Sequence, residues 1–183
     1  MKRVLLGALL SVLLFYLYVL GVTLIPDVSD EYRDYYITRQ SGLSPRERER
    51  METVFPGETL LFDTTKIGFD SWSAAEAGFR WSLGASPQLH FLLETGQEAA
   101  EIVALELELR PMGRQRVRVV LNDQALEDHE LTEAETLRIS VPDTLLRAGE
   151  NTLRLELPDA RRPGNGDPRE LGLALVSLSL SRA

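Results

Sequence analysis

The sequence predicts an all-β fold, an antiparallel two-sheet β-sandwich, preceded by one N-terminal transmembrane helix and a short helix. Three observations carry this. Val4–Ile25 (VLLGALLSVLLFYLYVLGVTLI) is an uncharged apolar run of 22 residues. From Thr59 onward the apolar residues recur mostly with a period of two rather than 3.6, as they do on a half-buried strand. Those runs are short, and Gly, Pro, Asn or Asp bound them.

At about 1.5 Å per residue the first run forms a helix of roughly 33 Å, the thickness of a bilayer's hydrocarbon core. It is longer than the apolar region of about 7–15 residues in a cleaved signal peptide, and it ends at Pro26-Asp27, so an uncleaved signal anchor is expected. Cleavage after Gly21 is the alternative, and it would change the anchoring but not the compartment. Lys2 and Arg3 precede the run and Asp27, Asp30 and Glu31 follow it, which places the N-terminus in the cytoplasm and the rest outside. In a bacterium the rest is periplasmic and the anchor sits in the inner membrane.

Residues 26–54 read as a stalk with a short helix. Ser44 can cap it, Pro45 suits its first position, and Glu47 can complete a capping box, giving a helix over about Pro45–Thr53. Residues 55–183 then hold the sandwich. Strands are expected at Leu60–Phe62, Gly78–Leu83, Gln88–Leu93, Val103–Arg110, Val117–Leu121, Ala125–Leu131, Thr136–Val141, Asn151–Leu157 and Leu171–Ser181. Val103, Leu105, Leu107 and Leu109 should point inward, as should Val117, Val119 and Leu121, with Arg116 and Arg118 in water. Asn122-Asp123 reads as a tight turn. In the last strand Leu171, Leu173 and Leu175 share one parity and Val176, Leu178 and Leu180 the other, which requires a bulge or a bend between sheets near Leu175-Val176.

Two groups of motifs narrow the fold. VRVVLNDQAL and LRISVPDTLLRAGENTLRLELP, within Val117–Leu157, resemble the galactose-binding-like jelly roll of many carbohydrate-active proteins. GFDSWSAAEAGFRWSLG (Gly68–Gly84) and DPRELGLAL (Asp167–Leu175) are similar to the sandwich appended to bacterial membrane glycosyltransferases and phosphoglycerol transferases of envelope glycan synthesis. The resemblance implies a carbohydrate-binding-like domain. The large catalytic membrane portion of those enzymes has no counterpart in these residues, so it supplies no catalytic residues here.

The chain has 20 Lys plus Arg against 28 Asp plus Glu, an acidic balance that argues against nucleic acid as a partner. It has no Cys and two histidines, so thiolate chemistry is excluded and metal or general-base chemistry is poorly supplied. No cofactor, metal or catalytic residue is expected. His90 reads as a surface or hydrogen-bonded strand residue and His129 as an exposed loop residue. The candidate glycan or interface residues are Trp72, Glu76, Arg80, Trp81, Asp167 and Arg169, since an indole face packs on a sugar's C–H face while carboxylates and guanidinium groups bond its hydroxyls. The competing reading is structural: Arg80 pairs with Glu76 or Asp167 to hold the loops, Trp81 is buried and Trp72 caps the core. The function expected is a non-catalytic accessory protein, anchored in the bilayer through residues 4–25, that docks an inner-membrane glycosyltransferase or another polytopic envelope protein, binds glycan, or does both. A small membrane-anchored hydrolase or transferase with an unrecognised site is the alternative.

Overall fold

The computed structural model describes residues 2–24, 43, 45–94, 101–142, 144–164 and 166–182. The chain falls into two compact units, Met1–Gln40 and Ser41–Ala183. In the first, Lys2–Leu24 forms helix α1. The apolar side chains from Leu9 to Leu20 that are described are exposed all round it, including Leu13, Phe15, Leu17 and Tyr18. Over the residues of α1 whose side chains are described, no helix is long and apolar enough to cross a membrane. The stalk expected before Leu43 and the Ser44 cap lie outside the described residues.

The second unit begins with α2 (Pro45–Arg50), shorter than expected. It stops because the chain turns to pair: Thr53 forms a parallel bridge with Leu92, and Val54 N donates to Leu92 O at 2.8 Å. Among the described residues ten strands follow: β1 (Thr59–Leu61), β2 (Gly68–Asp70), β3 (Arg80–Trp81), β4 (Gln88–Leu93), β5 (Ile102–Pro111), β6 (Gln115–Leu121), β7 (Gln124–Leu131), β8 (Glu135–Ser140), β9 (Gly149–Glu156) and β10 (Leu173–Arg182). One sheet has the order β2-β4-β9-β6-β7; the other is β1-β10-β5-β8, with β3 also on β10. All strand pairs are antiparallel, and from β5 to β10 the chain passes repeatedly between the sheets, as in a jelly roll.

Between the sheets lie Leu89, Phe91 and Leu93 of β4, Leu105, Leu107 and Leu109 of β5, Val117, Val119 and Leu121 of β6, Leu153 and Leu155 of β9, and Leu173, Leu175, Leu178 and Leu180 of β10, all buried. The parity change in β10 is a bulge: its register on β5 slips between Leu175 and Ser177, and the strand stays in one sheet. A second slip was not foreseen. Ser181 faces Ala104 while Arg182 faces Ile102, so Val103 is an extra residue. Ile102 and Ala104 are therefore buried and Val103 is not fully so, the reverse of the simple alternation.

Asn122 and Asp123 have φ of 48° and 67°, the left-handed pair of a two-residue type I′ hairpin between β6 and β7. Asn122 also works as a fastener. Its Nδ2 donates to Leu145 O (2.9 Å) and to Asn151 Oδ1 (2.8 Å), and its Oδ1 accepts from Thr152 N (2.9 Å). The fully buried Asn151 carboxamide donates to Arg147 O (2.8 Å) and Gly149 O (3.1 Å) and accepts from Arg147 N (3.1 Å). The connection from Pro142 to β9 is thus folded around one amide, with Leu146 pressed into the core and Gly149 at φ 87°.

On the outer face of the first sheet the charges alternate across strands. Arg118 meets Asp128, Arg114 meets Glu130, and Arg154 meets Asp123. Asp159 accepts from Arg116 N (3.0 Å), Nε (2.8 Å) and Nη2 (2.8 Å), which together hold its carboxyl down from 3.8 to about 2. His129 lies on β7 rather than in a loop, 3.1 Å from Glu127.

Two outcomes follow. Asn151→Ala orphans buried backbone groups, and we expect a loss of about 2–4 kcal/mol, read as a fall of roughly 5–15 °C in the melting midpoint by circular dichroism. Because Asp159 is depressed in the folded state, its contribution is present above its ordinary 3.8 and is lost as pH falls toward about 2. Asp159→Asn should therefore flatten the acid side of a melting-point-versus-pH curve in that window and leave the neutral side with a constant offset.

Candidate functional site

The two motif segments Gly68–Gly84 and Asp167–Leu175 meet at one end of the sandwich. Residues 71–83 form an irregular hairpin closed by a Trp72–Ser82 bridge, with Ser73 N donating to Trp81 O (2.8 Å) and Leu83 N to Ser71 O (2.8 Å). Ser71 at φ 62° and Gly78 at φ 96° make its corners. Ser82, wholly buried, accepts at Oγ from Gly172 N (3.0 Å) and Leu173 N (2.9 Å), which locks the hairpin to the start of β10. Gly172 has to lack a side chain: a Cβ there would lie 2.9 Å from Leu157 Cδ1 and 3.3 Å from Gln115 Oε1.

Against this frame the candidate residues separate. Trp72 is 7% exposed; its Nε1 donates to Gln88 O at 3.0 Å and its ring meets Phe69 edge-on at 6.5 Å. It is the buried tryptophan, whereas Trp81 is only half-buried and packs edge-on against Phe79 at 5.5 Å. The pairing of Arg80 with Glu76 or Asp167 does not form. Arg169 takes both carboxylates, grasping Asp167 from Nε (3.0 Å) and Nη2 (2.7 Å) and reaching Glu76 from Nη1 (3.0 Å). The tight fork holds Asp167 below the usual carboxylate range. The i,i+2 spacing favours this partner over one across the hairpin.

Arg80 is held by neutral groups instead. Nε donates to Phe62 O, Nη1 donates to Ser73 O at 2.8 Å, and the guanidinium lies over the Phe69 ring at 4.3 Å. Burial lowers its pKa, with Asp63 as the nearby charge opposing that shift. Beside it is a cleft of about 310 Å³ lined by Arg50, Thr64, Thr65, Phe69, Trp72 and Arg80 among others. The sequence did not point to Arg50, Thr64 or Thr65, because α2 and the β1–β2 connection carry no motif and reach the cleft only through the tertiary fold.

On β4, between β2 and β9, His90 is buried; its Nδ1 lies 2.9 Å from Glu150 Oε1, and Glu150 also takes Arg48 of α2. Among the described residues no group of three His, Cys, Asp or Glu is placed to hold a metal ion.

No protein-family model and no curated protein matches the chain. Solved structures do. A family two carbohydrate esterase from Clostridium thermocellum, in complex with cellohexaose, is similar at TM-score 0.41 and 8% identity over 68% of this chain and 31% of that one. A family 43 arabinoxylan arabinofuranohydrolase from Bacillus subtilis, in complex with cellotetraose, gives 0.44 and 9%, over 73% and 28%. The carbohydrate-binding module CsCBM6-3 from Clostridium stercorarium, in complex with cellobiose, gives 0.43 and 6%, over 72% and 98%. The chain thus spans about three tenths of the two enzymes and nearly all of the module. Likeness at these scores and identities carries no argument about what this chain binds.

The geometry ranks three substitutions. Trp72→Ala empties a buried ring's place and should cost about 3–5 kcal/mol. Arg80→Ala leaves two carbonyls unpaired, at about 1–3 kcal/mol each. Glu76→Ala removes one exposed ion pair and should cost about 1 kcal/mol or less. Urea unfolding of the three variants checks the order, and a Glu76→Ala loss exceeding that of Trp72→Ala would contradict the structural placement.

Proposed function

We propose that this chain is a non-catalytic accessory protein of bacterial envelope glycan synthesis, held in the inner membrane by α1, with its sandwich in the periplasm as a binding module that docks a membrane glycosyltransferase. The observation that carries the reading is the pairing of two unlike surfaces. Helix α1 shows apolar side chains on every side, from Leu9 to Leu20, and the uncharged run around it is long enough for a bilayer. The sandwich, by contrast, uses Trp72, Glu76, Asp167 and Arg169 on its own interior and loops.

A side chain already bonded within the fold holds shape rather than performing proton or group transfer. An anchor confines such a module to the membrane surface and raises its effective concentration toward a membrane enzyme or its nascent glycan. Lys2 and Arg3 before the apolar run support the orientation.

Protease treatment of inverted membrane vesicles should leave the fragment from residue 41 onward protected; its digestion there would reverse the topology. Gentle detergent extraction should co-purify a polytopic glycosyltransferase, and replacing Val4–Ile25 by a cleavable signal peptide, which releases the sandwich from the membrane, should weaken that recovery at least severalfold. Recovery of glycan-free, transferase-free protein in both cases would remove the accessory role.

A further inference from the structure

Among the described residues Arg50, Arg110, Arg147, Arg161 and Arg162 have no carboxylate oxygen within 4.0 Å but are exposed, whereas Arg80 has none and is half-buried. Arg48, Arg114, Arg116, Arg118, Arg138, Arg154, Arg169 and Arg182 each have a carboxylate oxygen within 4.0 Å. Arg80 donates to two carbonyls, which carry no net charge, and the nearby Asp63 carboxylate is not within ion-pair distance. Partly burying a cation with no carboxylate in direct contact is costly, and the cost falls if an anion comes to it.

The guanidinium is also fixed in place. One carbonyl is bound at Nε and the other at Nη1, and the Phe69 ring covers one face at 4.3 Å, so rotation is limited before any ligand arrives. A guanidinium has five N–H donors, and two carbonyl bonds leave three. Those of Nη2 make no hydrogen bond among the described residues. On the cleft's rim Arg50, exposed and with no ion pair among the described residues, adds a second cation, and Thr65 adds a hydroxyl. Glu47 also lines the cleft, so its charge is mixed but positive on balance. A volume of about 310 Å³ suits one sugar residue with a charged substituent.

We infer that the cleft between α2, the β1–β2 connection and Arg80 is a binding site for a saccharide-borne oxyanion, a carboxylate or phosphate on a sugar, gripped by the Arg80 fork and by Arg50. The saccharide part deepens the binding-module reading and rests on it; the oxyanion part rests on the cleft alone. Arg80 supplies a directional, desolvated charge and Arg50 a mobile one, while Thr64 and Thr65 border the place where ring hydroxyls would lie.

The test is calorimetric titration of the full chain in neutral detergent with trigalacturonate, glucose 1-phosphate and uncharged galactotriose. We expect at least one charged probe to bind about tenfold or more tightly than galactotriose, and the preference between the two tells carboxylate from phosphate. Binding should weaken several-fold as NaCl rises from about 0.05 to about 0.5 M. Arg50→Ala, on an exposed position that should not disturb folding, should weaken the charged probe about fivefold or more, whereas Arg110→Ala, outside the cleft, should leave it unchanged. Arg80→Lys, checked for its melting midpoint, should weaken it further by losing the fork. Failure of both charged probes to bind, equal binding of galactotriose, or undiminished binding by Arg50→Ala overturns the inference. An Arg50→Ala chain that loses the oxyanion but still recovers the glycosyltransferase separates this site from the accessory role.

Discussion

Short strands leave many ends, and an end is where backbone donors and acceptors lose their sheet partners while still lying close to the core. The strands here run from two to ten residues, so the sandwich depends on side chains that finish the hydrogen bonding its ladders cannot. Asn151 satisfies Arg147 and Gly149 around the turn into β9. Ser82 accepts two amides at the start of β10, Gln115 donates to Met112 O and Asp159 O, Trp72 caps Gln88 O and Arg80 caps two carbonyls. Each is at least partly buried, where an unmade hydrogen bond costs more than a made one gains. The apolar layer supplies the driving force, but these polar side chains decide which ends can meet.

That constraint also separates scaffold from site. Arg169 and Arg80 come from the same motif pair and lie at the same end of the sandwich, yet they have opposite partners. Arg169 is neutralised by Asp167 and Glu76, and its field ends within the cluster. Arg80 is positioned by hydrogen bonds to groups without net charge, with Asp63 near it but not in contact, and it borders the adjoining cleft. Firm placement without a carboxylate in direct contact is the condition that distinguishes a poised recognition group from a structural brace.

Features governed by neighbours in the chain were legible in the sequence. Asn122-Asp123 announced its turn because few residue pairs tolerate two successive left-handed conformations. The parity change at Leu175-Val176 announced a bulge or a bend because leucines alternate with Gly172 and Ala174 before it and with Ser177, Ser179 and Ser181 after it. Where every residue is apolar the phase is silent: Ile102, Val103 and Ala104 could face either way, and the bulge there passed unread. Strand β2, three residues with a glycine at one end, is too short to show a period. The candidate cluster was gathered correctly at one end, but its pairings were not. Which carboxylate meets which arginine, and which tryptophan is buried, depend on distances across the fold that no local pattern encodes. The cleft is further out of reach, since α2 contributes to it from outside the sandwich sequence.

The route by which the polypeptide enters the sandwich has a mechanical meaning. Residues 52–54 run alongside the margin of the first sheet, where Thr53 matches Leu92 in the parallel sense and Val54 N clasps Leu92 O. Just upstream, Arg48 is tied to Glu150, and Leu43 sits so close over Gly68 that a methyl group there would collide with it. Any tug arriving from the N-terminal side must strip that ion pair, that leucine, the Glu52 N–Lys66 O bond and the Val54 N–Leu92 O bond before it reaches β4. The seam would act as a shock absorber, yielding a few residues of slack while the ten strands stay shut.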